Sequence, residues 1–181
     1  VFCFTITHGL SGSYNGAMTA KSMYEEHHPG RHVYVIDSLA TGPKMVLMIE
    51  YLRDQLANGA DPETAYNKTI EYRSNTGLLF TLQSIQMLAK AGRVSPFIAK
   101  AVGLLDMRMI GEANDEGKID LVGKHRGYKK TLLGTFKQML NLNYNGGKVV
   151  ISHNRNEQAA NDLAELIREK FGDVLIDIHR T

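Results

Sequence analysis

The sequence predicts an α/β fold: a mostly parallel sheet flanked by helices, with one antiparallel hairpin. Three observations carry this. First, β-leaning apolar runs alternate with stretches of helical periodicity, the order expected of strands joined by helical crossovers. Second, Asn114-Asp115-Glu116-Gly117 separates two short strand-like runs and reads as a hairpin turn. Third, the chain closes on strand, helix and strand, over 148–152, 156–171 and 174–178.

Taken in order, residues 1–7 read as a buried strand, followed by a helix from Ser13 with Ala17, Ala20 and Tyr24 on one face. His32 to Ile36 forms the second strand, closed by Asp37-Ser38. From Gly42 to Leu56 the apolar residues Met45, Ile49, Leu52 and Leu56 recur at helical spacing. Asp61-Pro62 starts the next helix, with an acid at the N-cap and proline at the first helical position, and this helix runs to Arg73. Thr76 to Phe80 reads as a short strand, and a helix carrying Leu82, Ile85 and Leu88 stops at Gly92. Ser95-Pro96 opens another helix that runs through Leu105. The hairpin pairs Met107–Glu112 with Lys118–Val122, and a helix striped by Leu132, Phe136 and Leu140 follows. Gly172 ends the last helix. A division into two lobes near residue 75, as 1–75 and 76–181, is compatible with the sequence but not forced by it.

The 181 residues are 43% hydrophobic and 22% charged, near the averages of globular proteins. A chain of this length buries roughly 70% of the surface its unfolded form exposes, enough for one good core or two small ones. Charge is balanced, at 21 basic against 19 acidic residues without blocks, which argues against a nucleic-acid partner. The single Cys3 excludes an internal disulfide and suits a reducing cytoplasm, the expected location. No apolar run approaches the roughly 18 residues that span a bilayer. The chain opens on Val1-Phe2-Cys3-Phe4-Thr5-Ile6-Thr7 without a start Met and ends on another β-leaning run, so it reads as a portion of a longer protein.

The segment richest in chemistry is Thr7-His8-Gly9-Leu10-Ser11-Gly12-Ser13-Tyr14-Asn15. It lies between a strand and a helix, where free backbone N–H groups and the helix dipole favour an anion. The hydroxyls of Ser11 and Ser13 add donors, which a buried carboxylate requires. The plainer alternative has Ser13 cap the helix and Gly12 make the turn.

This segment resembles the Ser-Ser-x-Leu-Ser-Gly-Thr-Tyr-Gln pattern of the DegV family. Three further matches follow in the family's order. Val35-Ile36-Asp37-Ser38 is similar to its Val-x-Asp-Ser strand end, and Leu88-Ala89-Lys90-Ala91-Gly92-Arg93-Val94-Ser95 to its Leu-Lys-Lys-Gly-Gly-Arg-Ile-Ser segment. Asp115-Glu116-Gly117 resembles the Asp-Gly hairpin before its basic segment, here Lys124-His125-Arg126-Gly127-Tyr128-Lys129-Lys130. The resemblance implies a two-lobed α/β protein that is not itself an enzyme and needs no cofactor. It implies a long-chain fatty acid as ligand, with Ser11, Gly12, Ser13 and Arg126 around its carboxylate. It also implies a separate ATP-dependent fatty acid kinase as partner, with Arg93 a possible contact, in bacterial lipid metabolism. A guanidinium suits both a carboxylate and its phosphorylated product.

The chain departs from the pattern where Thr7 and His8 replace two serines and Ser13 replaces threonine. The family's Thr-Ser-Gln-Pro loop would fall before residue 1 and its C-terminal glycine-rich segment after Thr181. Phe80, Leu82, Ile98, Leu104 and Met109 are apolar residues available to an acyl tunnel or to ordinary core.

Other signals compete. Gly9-Leu10-Ser11-Gly12-Ser13 nearly matches the Gly-x-Ser-x-Gly nucleophile elbow, giving the alternative of a serine hydrolase with Ser11 as nucleophile and His153 or His179 with Asp37 as partners. Gly111 through Gly117-Lys118 has one residue too many for a Walker loop, and Ile119 stands where Ser or Thr is required, so it reads as a turn. The seven histidines show no zinc-ligand spacing, and His27-His28 fits an exposed helix end. The basic residues Lys124, Arg126, Lys129 and Lys130 form either a solvated face or a binding patch.

Overall fold

Aromatic and β-branched residues at Phe2–Thr5 and Tyr34–Asp37 make two strands, β1 and β2, that pair in parallel with Phe2 opposite Tyr34 and Thr5 opposite Asp37. Helix α1, Ser13–His27, makes the crossover that a parallel pair requires. The computed structural model describes residues 1–93 and 107–181. It divides the chain into two compact units, Val1–Leu78 with Ala113–Lys118, and Leu79–Glu112 with Ile119–Thr181.

In the first unit, helix α2 (Pro43–Ala57) packs on helix α3 (Pro62–Ser74). Asp61 caps α3 as its sequence signature predicts, accepting the amides of Glu63 and Thr64, each at 3.1 Å. These hydrogen bonds, Thr64 foremost, hold the Asp61 carboxyl below its usual range. The core consists of Ile36, Met48, Leu52 and Ala65, with Phe2, Phe4, Leu56 and Ile70 packed against it.

The buried face of α2 differs from the one that apolar spacing predicts. Ile49 is 45% exposed, and the buried residues are Lys44, Met48 and Leu52, a stripe at i, i+4 and i+8 that begins on a lysine. A pattern of apolar residues cannot include Lys44, so the predicted face is rotated about the helix. Helix α1 also differs: it has no buried residue, and Ala20 and Tyr24 are exposed. The His27-His28 pair sits at its exposed end as expected, the rings bonded to the carbonyls of Met23 and Tyr24.

In the second unit, β3 (Leu79–Leu82), β4 (Met107–Ala113) and β5 (Ile119–Arg126) form one sheet with β4 in the centre. Strands β3 and β4 run antiparallel, with Leu79 opposite Glu112 and Leu82 opposite Met109. The Phe80 ring lies directly on Gly111, where a Cβ would collide with it. Helix α4 is short, Gln86–Lys90. Leu82, expected in that helix, belongs to β3, because pairing with β4 overrides the local helical spacing. Helix α5 (Tyr128–Asn141) packs on β3 and β5. Strands β6 (Val149–His153) and β7 (Ile176–Arg180) form a parallel pair joined by helix α6 (Glu157–Phe171), whose Ala160, Ala164 and Ile167 are buried.

The α/β class and the antiparallel hairpin are as the sequence predicts, but the strands do not form one mostly parallel sheet. Among the described residues there are two parallel pairs and one three-stranded sheet, because the hairpin recruits β3 as an antiparallel neighbour. The helix expected from Ser95-Pro96 to Leu105 lies outside the described residues, as do Ile98 and Leu104. No helix among the described residues is long and apolar enough to cross a membrane.

Burial, followed by the positive charge of Arg73, lowers the Lys44 amine from the ordinary 10.5 to about 8. Below about pH 8 the folded and unfolded states both carry the proton, and the fold bears the full cost of the buried charge. Between about 8 and 10.5 the folded state sheds it while the unfolded chain keeps it, so that cost is relieved as pH rises. Lys44→Met is therefore expected to be more stable than the parent protein in chloride buffer at pH 7. Urea denaturation should show the gap closing over that pH window.

Candidate functional site

The loop that follows β1 is built around Thr7, which is 1% exposed. Its amide donates to the Ala40 carbonyl at 2.9 Å, and its own carbonyl accepts the amides of Leu10 and Ser11 at 3.1 and 3.2 Å. Its hydroxyl accepts the Gly9 amide at 3.1 Å and donates to the Gly117 carbonyl at 2.8 Å. The loop is thereby tied to the hairpin tip, 110 residues away in the chain.

Glycine is required on both sides of that contact. A Cβ on Gly9 would lie 2.7 Å from the Gly117 carbonyl oxygen, and one on Gly117 would run into the Thr7 hydroxyl. Gly117 also sits at φ +71°, the left-handed region open to glycine. The tip is shaped by Asn114, whose Oδ1 accepts the amides of Glu116 and Lys118, each at 3.0 Å, and whose carbonyl accepts the Gly117 amide at 2.8 Å. These bonds make Asn114–Lys118 a turn, as the sequence predicts, while Gly111–Ala113 are the end of β4. Lys118 pairs with Glu116 at 2.6 Å. That hydrogen bond, helped by the charges of Lys118 and His8, holds the Glu116 carboxyl low.

His8 and Asp37 form a couple. Asp37, at the end of β2, has a side chain only 9% exposed, and its Oδ2 lies 2.5 Å from His8 Nδ1. The Leu39 amide donates to its Oδ1 at 3.1 Å, and Arg73 donates to its backbone carbonyl at 2.7 Å. A carboxylate accepts only, so Nδ1 carries the proton and Nε2 is the ring atom left for other partners. The His8 ring is 49% exposed.

Ser11, Gly12 and Ser13 follow where the loop enters α1. The Ser11 hydroxyl accepts the Ser13 amide at 3.2 Å. Ser13 begins the helix, but Gly12 stands at the N-cap and no side-chain bond is made from there. Capping by Ser13 is therefore not what the structure has. Gly12 has φ −73°, which any residue adopts, and a Cβ there would meet nothing within 4 Å. The fold itself thus gives no reason for glycine at position 12, in contrast to Gly9 and Gly117.

The two arginines belong to the second unit. Arg126 is exposed at the end of β5, just before Gly127 opens α5. Arg93 is exposed beyond α4, and its guanidinium donates to the Ala91 carbonyl at 2.7 Å, so part of its capacity closes a helix end. Lys124, Lys129 and Lys130 are likewise exposed. Tyr128 is held differently: its hydroxyl donates to Asp162 at 2.5 Å, and burial, then that bond, pushes it up to about 12.

Of the hydrolase partners, Ser11 and Asp37 lie in the first unit and His153 and His179 in the second. The Ser11 oxygen is engaged by an amide, and the Asp37 carboxylate by His8 and the Leu39 amide. The His153 ring accepts the Asn156 amide at 3.3 Å. Sequence reasoning named Asp37 but not His8 as its partner, because ring and carboxylate are 29 residues apart and meet only through β1–β2 pairing. It also missed the Thr7–Gly117 contact and the burial of Lys44. No group of His, Cys, Asp and Glu able to hold a metal occurs among the described residues.

A loop-to-helix turn of this kind, in this α/β frame, belongs to a recognisable class. The model of the DegV family, described as uncharacterised proteins, matches residues 1–181, and the chain belongs to that family. A DegV domain-containing protein of Streptococcus gordonii is 39% identical over 176 residues, covering 97% of this chain and 63% of its own length. Among solved structures, the Streptococcus pneumoniae Fatty Acid Kinase (Fak) B3 protein, loaded with linoleic acid, superposes with a TM-score of 0.95 at 39% identity. It is matched over 99% of this chain and 64% of its own. A DegV protein of Eubacterium eligens loaded with heptadecanoic acid gives 0.94 at 37% identity, over 99% and 65%. The chain therefore spans just under two thirds of the length of these relatives.

Thr7→Val keeps the shape of the side chain but leaves the Gly9 amide and the buried Gly117 carbonyl without their partner. It is expected to cost about 1–3 kcal/mol in urea denaturation, with amide exchange speeding up at Gly9 and across 113–118. Thr7→Ser should recover most of the loss.

Proposed function

We propose that the protein of which this chain is part binds a long-chain fatty acid, its carboxylate held at the Ser11–Gly12–Ser13 turn. One observation carries the reading most directly: Gly12 stands at the uncapped start of a 15-residue helix with open space where a side chain would be. Helix N-termini favour anions, and glycine lets a head group reach the backbone amides. The Ser11 hydroxyl can donate to the acid while still accepting the Ser13 amide, since it has one proton and two lone pairs. The relatives loaded with linoleic and heptadecanoic acid support the ligand class.

The energetics suit a long chain. Burying each methylene is worth roughly 0.8 kcal/mol, so sixteen carbons offer on the order of 10 kcal/mol before association costs. A carboxylate shielded from water then needs its donors, or its desolvation would consume that gain. Arg126, exposed in the second unit, is assigned to the head group by the family resemblance alone. Arg93 is the residue we assign to contact with a partner fatty acid kinase, which transfers the terminal phosphoryl of ATP to a carboxylate oxygen. In this reading the protein is a cytoplasmic carrier that presents the acid and does no chemistry itself. The Fak B3 relative supports the connection to a kinase.

Ser11→Ala and Gly12→Val, made in the full-length protein, test the turn. Loss of a hydrogen bond to a charged group predicts about 10- to 100-fold weaker oleate binding for Ser11→Ala by calorimetry. Gly12→Val should weaken it further by filling the approach to the amides. Unchanged affinity in both variants would remove the head group from this turn. A fluorophosphonate probe is expected to leave Ser11 unlabelled, and stoichiometric labelling would return the hydrolase reading.

A further inference from the structure

Among the described residues, strand β2 has one edge paired and one edge free. The amides of Tyr34 and Ser38 donate to the carbonyls of Val1 and Thr5 at 2.8 and 3.2 Å, so alternate residues of β2 turn their backbone groups toward β1. Val35 has the opposite phase: its N–H and C=O point away from β1, and neither makes a hydrogen bond among the described residues. Val35 is nonetheless only 5% exposed, and buried backbone groups are ordinarily paired. At Val33, the preceding residue of that phase, Glu25 of α1 accepts the amide at 2.8 Å. The free edge is thus closed by a side chain at Val33 and open at Val35.

A cavity of about 240 Å³ runs along this edge. Tyr34 and Val35 both line it, although successive side chains of a strand point to opposite faces. The cavity therefore passes an edge of β2, and the β1 side is closed by pairing. Its walls come from α1, with Tyr14 and Lys21, and from α3, with Glu63 and Tyr66. The Lys21 ammonium lies 3.7 Å from Glu25, which engages at most one of its three N–H donors. Glu63 forms no ion pair among the described residues, and the hydroxyls of Tyr14, Tyr34 and Tyr66 make no hydrogen bond there. The volume is below the roughly 300 Å³ at which sites for drug-sized ligands begin, so the occupant is small.

The groove offers a cation on one wall, an anion on the other, and between them a strand edge with one free N–H and one free C=O. A carboxylate suits Lys21 and the Val35 N–H, and an ammonium suits Glu63 and the Val35 carbonyl. The tyrosine rings and Val35 supply an apolar side. We propose that the groove between α1, β2 and α3 binds a small zwitterion of the α-amino acid class. Its main-chain groups pair with the edge at Val35, as those of an added strand would, and its charges meet Lys21 and Glu63. The site shares no residue with the Ser11–Gly12–Ser13 turn, and it does not depend on fatty acid binding.

The test uses the full-length protein, titrated with each proteinogenic L-amino acid at millimolar concentration, with backbone amide resonances followed by NMR. At least one amino acid is expected to give saturable shifts at Val35 and Glu63. Its deaminated and decarboxylated analogues should each bind about tenfold more weakly or worse, the loss expected for a hydrogen bond to a charged group. The amino acid itself should be weakened to the same degree in Lys21→Met and in Glu63→Gln. Circular dichroism confirms that the variants are folded, and where one is not, the analogue comparison decides. Absence of saturable shifts at Val35 with every amino acid would overturn the site. So would analogues that bind as well as the zwitterion, or folded variants that bind it as well as the parent protein.

Discussion

One buried hydroxyl organises the first unit. The Thr7 side chain bridges the loop after β1 and the hairpin tip with both of its hydrogen-bonding roles filled by backbone, from Gly9 and to Gly117. Thr7 and Gly117 are both buried, so the Gly117 carbonyl has no solvent to fall back on. The two glycines have no Cβ because the approach leaves no room for one. This contact brings residues 113–118 into the same compact unit as the N-terminal β-α-β segment, although their flanking strands belong to the other unit. The Ser11–Gly12 turn, the His8–Asp37 couple and the buried Lys44 all lie in the unit that it closes.

Helices α1 and α2 both start without a side-chain bond from the N-cap, at Gly12 and Gly42. At α1 the neighbouring residues are hydroxyls, the arrangement on which the proposed head-group turn rests. At α2 a buried lysine stands two residues beyond the N-cap. His8, two residues before the Leu10-Ser11-Gly12 turn, is half-exposed and paired with Asp37 through Nδ1.

Local signals were legible where one element decides them. The Asp61-Pro62 helix start, the Asn114 turn and the β6-α6-β7 closure all follow from neighbouring residues and were readable as such. Leu82 was misplaced because its strand pairing with Met109 is a contact across the sheet that helical spacing cannot contain. The rotated face of α2 escaped for another reason: burial of Lys44 contradicts the expectation that lysine lies outside. Ser11 and Gly12 were visible through their motif, whereas the His8–Asp37 couple needs the register of β1 on β2 to be known first.

The most direct test of the central claim is mass spectrometry of lipid extracted from the full-length protein after purification. The account predicts a long-chain fatty acid carried through purification and exchangeable with added oleate. Protein that yields no fatty acid, and that binds neither added palmitate nor oleate, would contradict it.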